Sequence, residues 1–476
     1  MVFNSFNFWL IFPFIFVIYW AIPSKYNKWR NLFLLAVSYL LYMNWKPAFA
    51  VVLLGVTIIT FWGAKCIERC RISSKKLICW CFGLLGLLPL LVYKYYNFLN
   101  DSITVGLENI GMHFSLPGLN WAIPVGISFF TFQAVGYLLD VYHKRVPVEN
   151  NILDYALFVS FFPQVTSGPI STAKDLMPQF KESHKFNYEQ GVEGLKMLLW
   201  GMFLKCVVAD RLGIYVDTVY SNYIHYGGAT CFLASIFYTI QIYGDFAGYS
   251  LMAIGIAKTL GFDLINNFNR PYFATSITEF WKRWHISLTR WLTTHVYINL
   301  GGNRCSKFRQ YWNIMATFIV SGLWHGANWT FVVWGVIHGF LQIIEKALGL
   351  DPKGRYARRI EALKFLKPIR IIITFMFVNL AWIFFRMPTV SDAWEVICKI
   401  VTTDEGMYQG VQCMPIMVLI FAMLIVGEFS EEYLDGRFNL FSCKYSIVRR
   451  GAYLMLFALL LLYGVLDASS FIYVSF

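Results

Sequence analysis

Charged residues are scarce in this chain. Asp, Glu, Lys and Arg make up 14% of its 476 residues, where soluble domains carry about a quarter. Nor does any soluble-looking block separate the apolar runs that recur from one end to the other. A water-soluble enzyme of ordinary composition is thereby excluded. With 58% hydrophobic and 19% aromatic residues and a mean hydropathy of +0.54, the chain reads as an all-α polytopic membrane protein, one embedded unit over residues 1–476.

Other absences narrow the class further. No basic region precedes the first apolar segment, residues 6–22, and no small-residue cleavage site precedes the positive loop behind it. That segment is expected to be a retained helix rather than a signal peptide. The ten cysteines lack the paired CxxC spacing of a zinc site even in the densest group, Cys66, Cys70, Cys79 and Cys81; buried structural thiols are expected and no metal. The net charge of +13 could suggest nucleic acid, but no such module is present. The basic residues sit in short loops between apolar runs, where they set orientation and attract anionic lipid headgroups. An inverted repeat of the kind many transporters show is missing too.

What is present is a sequence of spans with alternating flanks. Residues 6–22, 32–44, 48–64, 77–99 and 121–142 are apolar. Lys25, Lys28 and Arg30 follow the first, Lys65, Arg69, Arg71, Lys75 and Lys76 the third, and Lys144 and Arg145 the fifth, while residues 100–120 hold no Lys or Arg. The positive-inside rule then puts the N-terminus outside. Residues 152–170 carry Pro163, Gly168 and Pro169 between two basic flanks, which predicts a re-entrant element, since broken backbone at membrane depth must be buried in protein or line a cavity. Residues 191–209 and 229–257 cross again. Further spans at 371–385, 416–429 and 452–466 leave the C-terminus outside, for about ten crossings plus two broken elements.

Three polar features interrupt this apolar background. Asp245 lies inside the span 229–257 and needs a partner or water there. Residues 276–292 begin with Ser276 and, three residues on, Glu279, a helix-start signal. Phe280, Trp284, Ser287, Leu288 and Trp291 recur at helical spacing beside Lys282, Arg283 and Arg290, predicting an amphipathic helix at the cytoplasmic interface. The third feature is residues 313–344, an apolar stretch whose middle reads Val320-Ser321-Gly322-Leu323-Trp324-His325-Gly326-Ala327-Asn328-Trp329. Its flanks are basic on both sides, most of all after it (Lys346, Lys353, Arg355, Arg358, Arg359, Lys364, Lys367, Arg370), so either two helical arms meet near His325 inside the membrane or two full crossings join through a very tight outer turn. By residue type alone, His325 is either a core histidine bonded to a neighbour or a functional group.

Several stretches together resemble the membrane-bound O-acyltransferase (MBOAT) family, in the branch of bacterial alginate and related polysaccharide O-acetylation. They are Pro124-Val125-Gly126-Ile127-Ser128-Phe129-Phe130-Thr131-Phe132-Gln133, Phe158–Gln164 with Ser167-Gly168-Pro169-Ile170, Asn267-Phe268-Asn269-Arg270-Pro271-Tyr272 leading into 277–288, Leu300-Gly301-Gly302-Asn303-Arg304, and Gly322-Leu323-Trp324-His325-Gly326. The likeness covers residues 5–390, with C-terminal helices over 391–476.

It implies a membrane enzyme of the bacterial cytoplasmic membrane that moves an acyl group, commonly acetyl, from cytoplasmic acyl-CoA to hydroxyls of an extracytoplasmic polysaccharide. Transfer would be direct or through an acyl-carrying or esterase-like secreted partner protein. It places the essential histidine at His325 and a second polar position at His285. The sequence departs from the branch at Thr294, His295, Ala247 and Leu251.

Removing a proton from an attacking hydroxyl suits a histidine, which makes His325 the candidate general base. Trp324, Asn328, Asp245 and Asn269 are candidate contacts. Lys282, Arg283 and Arg304 are candidates for the donor phosphates, with headgroup contact as the alternative. Acyl-CoA would be a substrate, with no resident cofactor. A teichoic-acid-like or lipid acceptor, and a transporter with a proton-relaying His325, are the competing expectations.

Overall fold

A computed structural model describes residues 3–112, 116–352, 363–402, 414–434 and 443–465, together with 354, 356, 406–408, 410 and 441. It is 76% helix, and the described residues contain no strand. Lys353, Arg355, Arg358 and Arg359 of the basic loop lie outside the described residues.

The first half is built from α1 (Phe6–Ala21), α2 (Asn27–Met43), α3 (Pro47–Arg69), α4 (Ile72–Leu90), α5 (Tyr96–Glu108), α6 (Ile127–Tyr142), α7 (Ile152–Ser160) and α8 (Ala173–Lys181). The second half follows with α9 (Tyr188–Met202), α10 (Asp210–Tyr220), α11 (Gly228–Thr259), α12 (Ile277–Arg283), α13 (Ile286–Leu292), α14 (Lys307–His325) and α15 (Trp329–Ala347). It ends with α16 (Lys367–Arg386), α17 (Val390–Thr402), α18 (Met414–Tyr433) and α19 (Ser446–Tyr463). Among the described residues, four helical stretches are long and apolar enough to cross a bilayer: Pro47–Arg69, Ile72–Glu108, Lys367–Arg386 and Ser446–Tyr463. The α1–α2 pair, bent by 101°, could make a fifth.

Several elements run differently from the apolar pattern. α4 continues through a π-turn, Leu91–Tyr95, into α5, so helix replaces the first part of the expected loop 100–120. α9 likewise runs through a second π-turn, Phe203–Ala209, into α10. Residues 121–126 are not helical: Gly126, at φ +73°, starts α6 only after Pro124, and a Cβ there would stand 2.2 Å from the Val165 carbonyl oxygen. That contact joins the chain before α6 to the broken segment behind α7. Residues 161–172 are buried without forming a helix, as the two prolines and glycine require. Within 387–414, α17 forms where a loop is expected. Of the nine described cysteines, all free, only Cys79, Cys206 and Cys231 are buried, so structural burial holds for three.

Glycines decide the closest helix pairing. α9 and α11 meet at Gly194 against Gly255 and at Gly201 against Gly248; a Cβ on any of the four would lie 2.6–2.7 Å from the facing glycine's carbonyl oxygen. With little hydrophobic force between helices in lipid, such small-residue seams let backbones approach and pack.

Candidate functional site

The hairpin forms as its sequence predicts. α14 ends at His325 and α15 begins at Trp329, where the Asn328 side chain caps it by accepting from the Thr330 N–H at 3.0 Å. The arms cross closely because Gly322 and Gly335 leave no room for a side chain: a Cβ would lie 2.3 Å from the Phe331 oxygen and 2.4 Å from the Phe318 oxygen. His325 is 2% exposed. Its ring is enclosed by Trp324, Trp334 and Phe385, with centroids 4.9, 5.0 and 5.2 Å away.

His285 stands differently from its sequence expectation. The amphipathic helix expected over 276–292 is two short helices, broken at His285, whose φ of +43° is left-handed. The tertiary partner that holds the break is Asn267. Its Oδ1 accepts from the Ser287 N–H at 3.1 Å, from Ser287 Oγ at 2.8 Å and from His285 Nδ1 at 3.2 Å, and its carbonyl accepts from the Ile286 N–H at 2.9 Å. Ser287 Oγ in turn accepts from the Ile170 N–H at 3.0 Å, tying the break to the irregular segment after α7. A backbone N–H can only donate, so the Asn267 atom is an oxygen, and His285 Nδ1 must carry the hydrogen toward it. Nε2 is left as the acceptor face of a neutral ring, and it has no hydrogen-bond partner among the described residues.

The two histidines are neighbours. Their ring centroids are 6.3 Å apart, and Trp324 touches both, at 5.6 Å from His285 and 4.9 Å from His325. His285 is fully buried, against Phe246 at 4.6 Å. The sequence placed it on an interfacial surface beside Lys282; the break instead turns it inward, away from those cations.

Two cavities with no lining residue in common lie near the pair. One, about 30 Å³, is bordered by His325, Trp324, Lys94, Thr166 and the run Ile123–Phe129. The other, about 220 Å³, runs from Gln342, Lys346 and Asp351 past Trp281 to Ser321, one helical turn before His325. Lys94 escaped sequence reasoning: Nζ donates to the Trp324 and His325 carbonyls at 2.9 and 2.8 Å, beside Tyr95, whose hydroxyl donates to the Leu323 carbonyl at 2.5 Å. A lone lysine deep in an apolar run was the available signal. Asn267, lying within a quoted motif, was the other residue missed.

The remaining candidates are dispersed. Asp245 forms a buried ion pair with Lys205 at 2.5 Å and borders neither of those two cavities. Asn269 lines a larger cavity of about 520 Å³ between α9, α11, α18 and α19. Asn328 is the α15 cap, and its Nδ2 donates to the Pro388 carbonyl. Arg283 is held by Glu279 at 2.7 Å and Glu432 at 3.0 Å, which leaves it poorly placed for donor phosphates. Lys282 and Arg304 are exposed; Arg304 lies three residues before Lys307, where α14 starts, at the end of that arm roughly 27 Å from His325. His338 is buried, its Nδ1 accepting from Trp281 Nε1 at 3.3 Å, a structural placement.

Comparison with known proteins agrees with the motif reading. The model of "MBOAT, membrane-bound O-acyltransferase family" matches residues 143–350. The chain is 37% identical over 400 residues to "Probable alginate O-acetylase AlgI" of Pseudomonas aeruginosa, covering 83% of this chain and 74% of that one. It is 34% identical over 403 residues to "Peptidoglycan O-acetyltransferase" of Helicobacter pylori, covering 79% and 74%. Similarity to "Teichoic acid D-alanyltransferase" of Streptococcus thermophilus is more distant, 28% over 296 residues, covering 57% and 69%. A histidine pair buried between helical arms, in a chain this close to named O-acetyltransferases, leads to one conclusion: the protein belongs to the membrane-bound O-acyltransferase family and is a multi-pass membrane O-acyltransferase.

Proposed function

We propose that the protein transfers an acetyl group from cytoplasmic acyl-CoA to hydroxyls of an extracytoplasmic polysaccharide, in the bacterial cytoplasmic membrane, directly or by way of a secreted partner. About ten crossings with both termini outside complete this reading. The observation that carries it is the position of His325, bordering one cavity and a single turn from another that approaches from elsewhere. The larger cavity carries Lys346 and begins at the basic end of the hairpin, the cytoplasmic side by its charge. The smaller lies beside residues 123–126, next to the loop without Lys or Arg. A donor and an acceptor could therefore reach one imidazole without passing each other. The two relatives of highest identity named here act, by their names, on alginate and peptidoglycan, which favours a polysaccharide over a teichoic-acid-like acceptor.

In this reading the acceptor oxygen attacks the thioester carbon as its proton passes to His325. The C–O bond forms and the carbonyl electron pair moves onto oxygen. Collapse re-forms the carbonyl, breaks the C–S bond and expels the CoA thiolate, which takes the proton back from His325. His285, held by Asn267, presents its Nε2 lone pair beside Trp324 and positions the acceptor hydroxyl or the His325 ring. The test is transfer of radiolabelled acetyl from acetyl-CoA by purified protein in nanodiscs, comparing wild type with His325→Ala. Loss of a general base predicts a fall of about 10²–10⁴-fold; unchanged turnover sinks the assignment.

A further inference from the structure

We propose that Lys94 is a catalytic group of this site, its ammonium binding the oxyanion that forms on the thioester carbonyl during transfer. This rests on the acyl-transfer reading above. Lys94 lies in a span, 9% exposed, within the π-turn Leu91–Tyr95. Such turns insert one residue into a helix and occur disproportionately at functional sites. Here the turn directs Lys94 and Tyr95 together at the end of α14, where three successive carbonyls, those of Leu323, Trp324 and His325, receive their hydrogen bonds.

Capping alone does not account for a cation there. Neutral donors would satisfy carbonyls equally, and a charged side chain at this depth is expensive and as a rule functional. Its two carbonyl partners stand at the negative end of the α14 dipole. No carboxylate forms an ion pair with it among the described residues. An ammonium has three donors, and two are used. Lys94 also borders the 30 Å³ cavity that His325 borders. That cavity has room for an oxygen-sized group beside both side chains. In acyl transfer a negatively charged oxygen stands on the reacting carbon only between attack and collapse. In that interval the thioester oxygen carries the displaced electron pair while His325 holds the proton. Donors preorganised for such an oxygen act on the transition state and leave ground-state binding alone.

The test uses the full chain in nanodiscs as wild type, Lys94→Met and Lys94→Arg, with acetyl-CoA and an oligosaccharide acceptor. Thermal unfolding is followed in parallel. Lys94→Met is expected to lower kcat about 10²–10³-fold, with KM for acetyl-CoA within threefold and the unfolding temperature nearly unchanged. Lys94→Arg should recover part of the loss. Binding of a tetrahedral phosphonate analogue of acetyl-CoA should weaken in step with kcat, while binding of a non-hydrolysable thioether analogue stays constant. Unchanged kcat in Lys94→Met, equal weakening of both analogues, or a loss that follows the unfolding temperature would each overturn the assignment. Absence of transfer by the wild type overturns the functional reading as well, whereas equal transfer by wild type and Lys94→Met overturns Lys94 alone.

Discussion

Two buried lysines make the most instructive contrast in the molecule. Lys94 and Lys205 each sit in a π-turn within apolar helix, and their side chains are similarly removed from water. Lys205 is closed on itself: Nζ lies 2.7 Å from Asp210 and 2.5 Å from Asp245, with the Tyr249 ring beneath it at 5.5 Å. Lys94 meets two carbonyls and the wall of a cavity. The charge of the first is answered within the protein, whereas the second is answered in part by a helix end and otherwise by whatever enters. A buried charge answered by the fold serves structure, and one left facing a cavity serves chemistry.

The contrast can be broken most directly at Lys205. Lys205→Met leaves Asp210 and Asp245 facing each other without a cation, and removing one member of a buried ion group destabilises by roughly 3–5 kcal/mol. Thermal unfolding in detergent should show the loss. An unchanged unfolding temperature with lost transfer would make Lys205 a functional lysine and end the distinction, since that signature is the one expected of Lys94.

Gly248→Ala probes how the triad is assembled. The new Cβ would stand 2.7 Å from the Gly201 oxygen and 2.9 Å from the Lys205 amide nitrogen. Overpacking of this kind destabilises by about 1–3 kcal/mol. Gly55→Ala, where nothing lies within 4 Å, is the control that should leave stability unmoved.

Asn267→Ala sharpens the comparison from the histidine side. It removes the acceptor shared by His285 Nδ1 and Ser287, which is expected to destabilise by roughly 1–3 kcal/mol and to lower kcat further than the folded fraction explains. Asn267→Asp, which keeps the oxygen, should restore most of the stability; equal losses in both variants would dismiss the tautomer argument.

The smallest effect is expected at a rim ion pair. Glu149 accepts from the Asn150 and Asn151 N–H groups and lies 2.6 Å from Lys181 Nζ. Burial pushes its carboxyl up, but those N–H bonds and the lysine outweigh it and hold the group below its ordinary value of 4.5. A depressed carboxyl contributes stability above its ordinary value and loses it as pH falls through the lowered one. Glu149→Gln should therefore unfold slightly earlier at pH 7, by about 1 kcal/mol or less because Lys181 is 57% exposed. The gap to wild type should close in acid, and a gap that persists there would argue against the pairing.

How much of this was readable beforehand varies by residue. The hairpin was legible because a Gly322-Leu323-Trp324-His325-Gly326 centre inside an apolar span with basic flanks on both sides points to two arms meeting. The break at His285 was not, because Phe280, Trp284, Ser287 and Leu288 repeat at helical spacing straight across it. What stops the helix is Asn267, eighteen residues away in sequence and visible only once folded. Lys94 and Lys205 hid for the opposite reason: one lysine in a long apolar run does not disturb hydropathy, and its significance depends on which groups the π-turn places opposite it. The engagement of Arg283 was not legible either, since Glu432, which pairs with it, lies 149 positions on.

The small cavity beside His325 has one more property. Seven of its bordering residues, Ile123 to Phe129, are consecutive, and Gly126 presses against the carbonyl of Val165. An unbroken run is positioned as one piece, here by the turn at Gly126 and its contact with the broken segment behind α7. If the acceptor enters here, as proposed, moving that run as a whole would alter which hydroxyl is admitted more than exchanging one side chain. Such an enzyme would change its acceptor in steps, through insertions, deletions or a different partner at the loop before α6, rather than drift gradually from one sugar to the next.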